Sequence, residues 1–197
     1  MKSTEVKKEL GMTYRELISY LLEKYGAAKY DYFCNESCRS KNHKVSRTSE
    51  GLFCHHIDED RAIMLSNTLL AKMHPWEYQK ADRLVYCNVL EHLILHIKIV
   101  EGPLSEDNSK IGIYGIGGAI TCLCPEINDF YNGYKFQKQY LIKIYSLIED
   151  NFDDYIYILK YFLNVLDKNP TYKAFVTKKK LSVDHEGKIV KKIYNQL

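Results

Sequence analysis

The sequence predicts an α+β fold, with a small strand-bearing unit at its centre, a helix before it and a helical layer after it. Three observations carry this. A capped amphipathic pattern runs from Thr13 to Gly26. A short apolar run, Phe53-Cys-His-His-Ile-Asp58, lies beyond a polar stretch and reads as a strand. Apolar residues at helical spacing then recur over 82–100, 134–148 and 154–166.

The chain has 197 residues, enough for one sizeable domain or a small domain with a helical extension. We read it as one domain, with a core over 27–100 and a mainly helical extension over 101–197. A formal net charge of +3 is too small for a polycation, so any affinity for nucleic acid must come from local patches. No segment is as long and apolar as a transmembrane helix, and the first residues lack a signal-peptide core, so no membrane partner and a cytoplasmic location are expected. The six cysteines are then thiols or metal ligands rather than disulfides. Cys34 and Cys38, and Cys122 and Cys124, have knuckle-like separations, but buried free thiols are the better reading than a second, structural zinc. Cys54 and Cys87 are core residues or accessory ligands.

In chain order, residues 1–12 read as a frayed or lightly tethered lead-in. Thr13 and Glu16 form a capping box, Leu17, Ile18, Leu21, Leu22 and Tyr25 an apolar helical face, and Gly26 a stop. From 27 to 51 the chain turns polar. Arg39, Lys41, Lys44 and Arg47 supply four fixed positive charges with no acid between them, and Tyr30, Tyr32 and Phe33 lie just upstream. Basic residues beside aromatics suit a nucleic-acid backbone, the charges for phosphates and the rings for stacking. A solvated loop is the commoner meaning of such a run. Its place directly before the histidine strand favours the rim of a site.

The strand is expected over 50–58, with its partner after the turn that follows. Asp58, Glu59 and Asp60 either help to bind metal or cap that turn. Residues 62–71 read as a short helix, and Pro75 opens another, with Trp76 as a packing anchor. Residues 82–100 read as one strongly apolar helix. His92 and His96 lie four apart, hence on one face, and Asn88 continues their stripe one turn earlier. A buried imidazole needs a partner, and one metal ion would serve both.

These two segments resemble the HNH, or ββα-metal, nuclease motif: a His-His pair at the end of one strand, a loop, then a helix bearing His-x-x-x-His. The resemblance covers residues 50 to 98. It implies a ββα-metal core, with His55, His92 and His96 as ligands of a divalent metal ion and His56 as the general base. Zinc, nickel or manganese would suit three imidazoles, and magnesium only with carboxylates or waters in the shell. The family carries an Asn nine residues before the first helical His, to orient the base. That position here is Arg83. Asp82 or Asn88 would have to replace that Asn, and Arg83 would instead clamp the scissile phosphate through its planar fork.

Past Val100, residues 101–110 read as a loop. The glycines of 111–119 lack the Lys-Ser/Thr of a phosphate loop and fit close packing of a helix on its neighbour better. The last third is helical, with a further short helix from Pro170 and a basic tail, and His185 sits in a surface turn. Two functions follow from the resemblance. One is a metal-dependent endonuclease hydrolysing phosphodiesters in DNA or RNA, on a phage or mobile element or in defence or counter-defence. The other is a nuclease-fold protein that binds nucleic acid or a nucleoprotein without cutting, as an anti-CRISPR-like inhibitor would.

Overall fold

The structure is a computed structural model that describes residues 3–102, 111–168, 172–173 and 176–197. Two helices lead: α1 (Ser3–Leu10) and α2 (Tyr14–Tyr25). From Ser3 on, the lead-in is therefore helical rather than frayed. Val6 and Leu10, one turn apart, are both buried, and α1 packs against the longest helix near the C-terminus, so tertiary contact sustains a segment too short to be helical alone. In α2 the Thr13/Glu16 capping box forms, and Gly26 ends the helix at φ 78°.

Strand β1 (Phe53–His56) is shorter than expected, ending where the turn Ile57–Asp60 begins. It pairs antiparallel with β2 (Leu84–Cys87), Phe53 opposite Cys87 and His56 opposite Leu84. The partner strand thus comes far later than the sequence pattern suggests, inside the segment that reads as the start of the apolar helix. All four residues of β2 are buried, so no alternation marks it as a strand. Helix α3 runs only from Val89 to Glu101, and Asn88 is its N-cap, accepting from the amides of Leu90 and Glu91 while Glu91 caps back. Asn88 therefore does not continue the histidine stripe. Residues 62–71 form turns rather than a helix, and the segment after Pro75 is a single 3-10 turn, Trp76–Gln79. Trp76 packs with Tyr32 on a small cluster of Phe33, Cys38 and Ala71 that ties the two long loops together.

Beyond α3 come α4 (Ile111–Gly117), a π-helical turn (Gly118–Leu123), α5 (Cys124–Tyr131), α6 (Gln139–Ser146) and α7 (Phe152–Asp167), then single-turn helices Lys178–Leu181 and Lys191–Tyr194. Both helices of the last third are present with shifted ends. The loop expected over 101–110 and the helix expected at Pro170 lie largely or wholly outside the described residues. One apolar core runs from Val6 to Ile193 and surrounds α3, whose Leu90, Leu93, Ile94, Leu95 and Ile97 are fully buried. The fold class is α+β: a two-stranded sheet among many helices. Among the described residues no helix is long and apolar enough to cross a membrane.

The glycines at 115 and 118 let α4 and its π turn press on α3. A Cβ on Gly115 would run into the His96 carbonyl and lie 2.9 Å from Val100 Cγ2, and a Cβ on Gly118 would overlap the His96 ring. Gly117 faces open space. Gly115→Ala should therefore destabilise by about 1–3 kcal/mol through overpacking. Gly117→Ala should be neutral or stabilising by up to about 1 kcal/mol, from helix propensity. Urea titrations of the two variants against the parent check this.

Candidate metal centre

Neighbouring side chains of a strand point to opposite faces, so His55 and His56 cannot look the same way. His55 faces α3. Its ring centroid lies 5.1 Å from that of His92 and 5.3 Å from that of His96, and the two helical rings are 5.0 Å apart. Phe53, two residues before His55 and on the same face, packs against His92. His56 turns away, its ring 4.3 Å from that of Tyr32. The chain then bends through Ile57–Asp60, and this turn brings Glu59 back between the two faces. Its Oε2 lies 3.4 Å from His96 Nε2 and 3.7 Å from His55 Nδ1, and its Oε1 lies 3.8 Å from His56 Nδ1.

Hydrogen bonds from distant segments fix which ring nitrogens carry protons. The Tyr14 hydroxyl donates its one proton to the Ile57 carbonyl at 2.9 Å. Its 3.0 Å contact with His55 Nε2 must then be one in which the ring donates to the phenol oxygen. That leaves a lone pair on His55 Nδ1. Gln79 donates through Nε2 to the Leu65 carbonyl at 3.2 Å, which turns its Oε1 to His56 Nε2 at 2.9 Å. His56 Nε2 therefore carries the proton, and its lone pair is on Nδ1. The Nδ1 atoms of His55, His56, His92 and His96 are all buried without a hydrogen-bond partner.

Burial sets the charges. It pushes the His55 and His92 imidazoles well below their ordinary range, helped by the neighbouring histidines, and brings His56 and His96 down to about 4. The rings are neutral at physiological pH and offer lone pairs. The same burial raises the Glu59 carboxyl to about 8. His55, His92 and His96 each present one ligand atom, all within 4.8 Å of one another. Three neutral imidazoles with converging lone pairs suit a divalent transition-metal ion. The expected ligand triad is thus brought together by β1 and α3. His92 is its one partly exposed member, and the neighbouring Glu59 is partly exposed too.

Other expected site residues are placed differently. Arg83 reaches no imidazole. Its guanidinium grips the fully buried Asp58, Nε donating to Oδ2 at 2.7 Å and a terminal nitrogen donating to Oδ1. That pair locks the turn carrying Glu59 to the start of β2, so Asp58 serves the turn and takes up the Nε edge of the Arg83 guanidinium. Neither Asp82 nor Asn88 takes the place of the orienting Asn; Gln79 holds His56. Arg47 is also engaged, with Glu50 and with the Tyr25 carbonyl at 2.5 Å. Arg39, Lys41 and Lys44 are exposed. Of these Lys41 comes nearest the site, its Nζ 3.3 Å from the hydroxyl of Tyr32, whose ring covers His56. All six cysteines are free, and none joins a ligand cluster among the described residues. His185 is exposed beside Asp129.

Sequence reasoning did not single out Tyr14 or Gln79, and it took Glu59 only together with Asp58 and Asp60, as an aid to metal binding or a cap of the turn. Glu59 had a signal, an acid three residues past the histidine pair; Tyr14 and Gln79, 41 and 23 residues from their histidines, had none. A second convergence of acids, Glu5, Glu9 and Glu91, is closed by the ammonium of Lys24, which bonds Glu91 at 2.7 Å and also Glu5. A cavity of about 860 Å³ reaches Tyr14 and Asp60 from behind, but no imidazole lines it. No protein-family model matches the chain, and neither the curated proteins nor the solved structures give a match.

The Arg83–Asp58 pair makes a test. Removing one partner of a buried pair strands the other charge, so Arg83→Ala should cost about 2–4 kcal/mol of stability, at the lower end because Arg83 is partly exposed. The double variant Arg83→Leu, Asp58→Leu should recover part of it. Denaturant titrations that show Arg83→Ala unchanged would leave the guanidinium free for another task.

Proposed function

We propose that this chain is a metal-dependent endonuclease with an HNH-like ββα-metal core, hydrolysing phosphodiester bonds in DNA or RNA. The observation that carries the reading is the set of unpartnered, neutral imidazole nitrogens where β1 meets α3. Such nitrogens lose several kcal/mol of hydration with no return unless a metal or a proton comes between them. The order β1, β2, α3, with the His pair ending the first strand and His-x-x-x-His on the helix, supports the same reading. His55, His92 and His96 would hold the ion, which when bound would polarise the phosphate and stabilise the leaving oxygen. Tyr14 keeps His55 in the tautomer that turns Nδ1 inward. His56, held by Gln79 through Nε2, offers Nδ1 to take a proton from the attacking water. Neutral His56 suits that task, since a base must be unprotonated at working pH.

Of the exposed cations, Lys41 lies on the His56 side, beside Tyr32. Lys41 stands over Tyr32 and Lys44 over Tyr30, while Arg39 and Lys72 line one hollow of the intervening loop. A polyanion crossing Tyr32 would meet Lys41 first.

Plasmid DNA and structured RNA, incubated with the protein and Mg²⁺, Mn²⁺, Ni²⁺ or Zn²⁺, test the activity. Cutting is expected with at least one ion and none in EDTA. His56→Ala should reduce the rate by about 10²–10⁴-fold, the usual worth of a general base, and keep the rise in Tm on metal addition. A protein stabilised by metal that cuts neither substrate would instead be a nuclease-fold binder of nucleic acid or nucleoprotein.

Salt dependence separates the cations. Each of Arg39→Gln, Lys41→Gln and Lys44→Gln should reduce the slope of log affinity against log salt by about 0.7–0.9 for each phosphate that the variant no longer neutralises. Arg47→Gln, whose parent side chain is already paired, should leave the slope unchanged. Equal slopes for all four variants would return the run to a solvated loop.

A further inference from the structure

We propose that Glu59 is the fourth ligand of the three-histidine site, so that the ion would sit among three imidazoles and one carboxylate. This rests on the metal-binding reading above. Four observations carry it. First, Glu59 Oε2 stands 3.4 Å from His96 Nε2 and 3.7 Å from His55 Nδ1. Both exceed ordinary hydrogen-bond lengths of about 2.7–3.2 Å. The first matches the edge of a tetrahedron around an ion with bonds of about 2.1 Å, which is about 3.4 Å, and the second exceeds it by about 0.3 Å. Second, His55 Nδ1 and an ionised Glu59 carboxylate face one another as two acceptors. His55 Nδ1 bears a lone pair because its Nε2–H donates to the Tyr14 oxygen, and an ionised carboxylate only accepts. Acceptors gathered this way repel unless something electropositive lies between them.

Third, Glu59 has no cation of its own. The arginines around the turn serve its neighbours: Arg83 holds Asp58, Arg15 meets Asp60 at 2.5 Å, and Arg61 Nε lies 3.9 Å from Asp60 Oδ1. Both acids flanking Glu59 are thus paired with arginine, while Glu59 has only histidines within ion-pair reach. Fourth, the carboxylate divides its oxygens. Oε2 faces two rings of the triad, while Oε1 faces His56 Nδ1 at 3.8 Å. A ligand using Oε2 leaves His56 outside the coordination shell with its lone pair free, as a base requires.

Three imidazoles and one carboxylate form a compact N₃O donor set. Such a set suits zinc, nickel or manganese, whereas magnesium favours oxygen ligands and retained waters. The protein should therefore discriminate against magnesium.

Calorimetric titration of the metal-stripped protein with Zn²⁺, Mn²⁺ and Mg²⁺, with the absorption spectrum of its Co²⁺ form, tests this without any assay of cutting. Native protein should bind Zn²⁺ and Mn²⁺ at least about 100-fold more tightly than Mg²⁺, and its Co²⁺ form should show the intense visible bands of a four-coordinate site. Glu59→Gln, close to isosteric, should weaken Zn²⁺ binding by about 10–100-fold or more and alter the Co²⁺ bands, with the metal-free Tm no lower than that of native protein. Glu59→Asp, which withdraws the carboxylate by one methylene, should fall between them and provides the comparison if the Gln variant misfolds. Native affinity and native Co²⁺ bands in both variants, with binding lost in His96→Ala, would remove Glu59 from the shell and leave the three-histidine site standing. No binding of any ion by native protein would overturn the metal reading, and this proposal with it.

Discussion

Helix α3 is buried on nearly every side and yet carries two imidazoles whose nitrogens must find partners, and the rest of the structure answers to that conflict. The apolar circumference is met by α1, α2, α4 and α7, which together leave α3 almost no solvent. The histidine stripe is met from the one direction left, by β1 and the turn after it. Because successive strand residues alternate, only His55 of the pair can join that stripe, and His56 is left to the opposite face. Glu59 reaches both faces only because the strand ends at His56 and the chain folds back at once. A longer β1 would have carried Glu59 away from the rings.

The same conflict explains why the glycines of α4 and its π turn sit where they do. His96 occupies the α3 surface on which α4 packs, and only a residue without a Cβ can lie against its ring and its carbonyl. The π turn adds an extra residue to the helix at that point, as such turns commonly do beside functional groups. The glycine run that looks like a phosphate loop in the sequence is therefore part of the histidine site, as its back wall. Packing and chemistry cannot be separated at these positions.

What could be read from the sequence was local. The capping box at Thr13, the four-residue spacing of His92 and His96 and the close-packing glycines all depend on contacts a few residues apart or on one helix face, and each is present. What could not be read was set by distance along the chain. The strand Leu84–Cys87 resembled the start of a helix because full burial removes the period-two signal. Helix α1 owes its order to packing on α7, which no window of eight residues contains. Tyr14 and Gln79 choose the tautomers of His55 and His56 from segments that carry no motif. Arg83 was visible as a departure from a pattern, but its partner, Asp58, lies 25 residues away, and only the fold shows that the guanidinium is already paired.

The two arginine–aspartate pairs have a further consequence for the site. Asp58 and Asp60 flank Glu59, and each is drawn outward, one to Arg83 at the foot of β2 and one to Arg15 on α2. A turn with three consecutive acids would normally repel itself and open. Neutralising the first and third fixes the backbone and leaves the middle carboxylate as the one uncompensated acid of the turn, aimed among imidazoles. An exposed carboxylate would gain little from that position. Glu59, largely withdrawn from water, carries a desolvation cost that a nearby cation would reduce, and Lys41 lies on the far side of Tyr32. The turn thus leaves a demand for positive charge at the edge of the histidine cluster, with Arg15 and Arg83 already committed elsewhere. A divalent ion bound there would meet that demand, and the protein around it supplies the tautomers, the turn and the back wall that would hold its ligands in place.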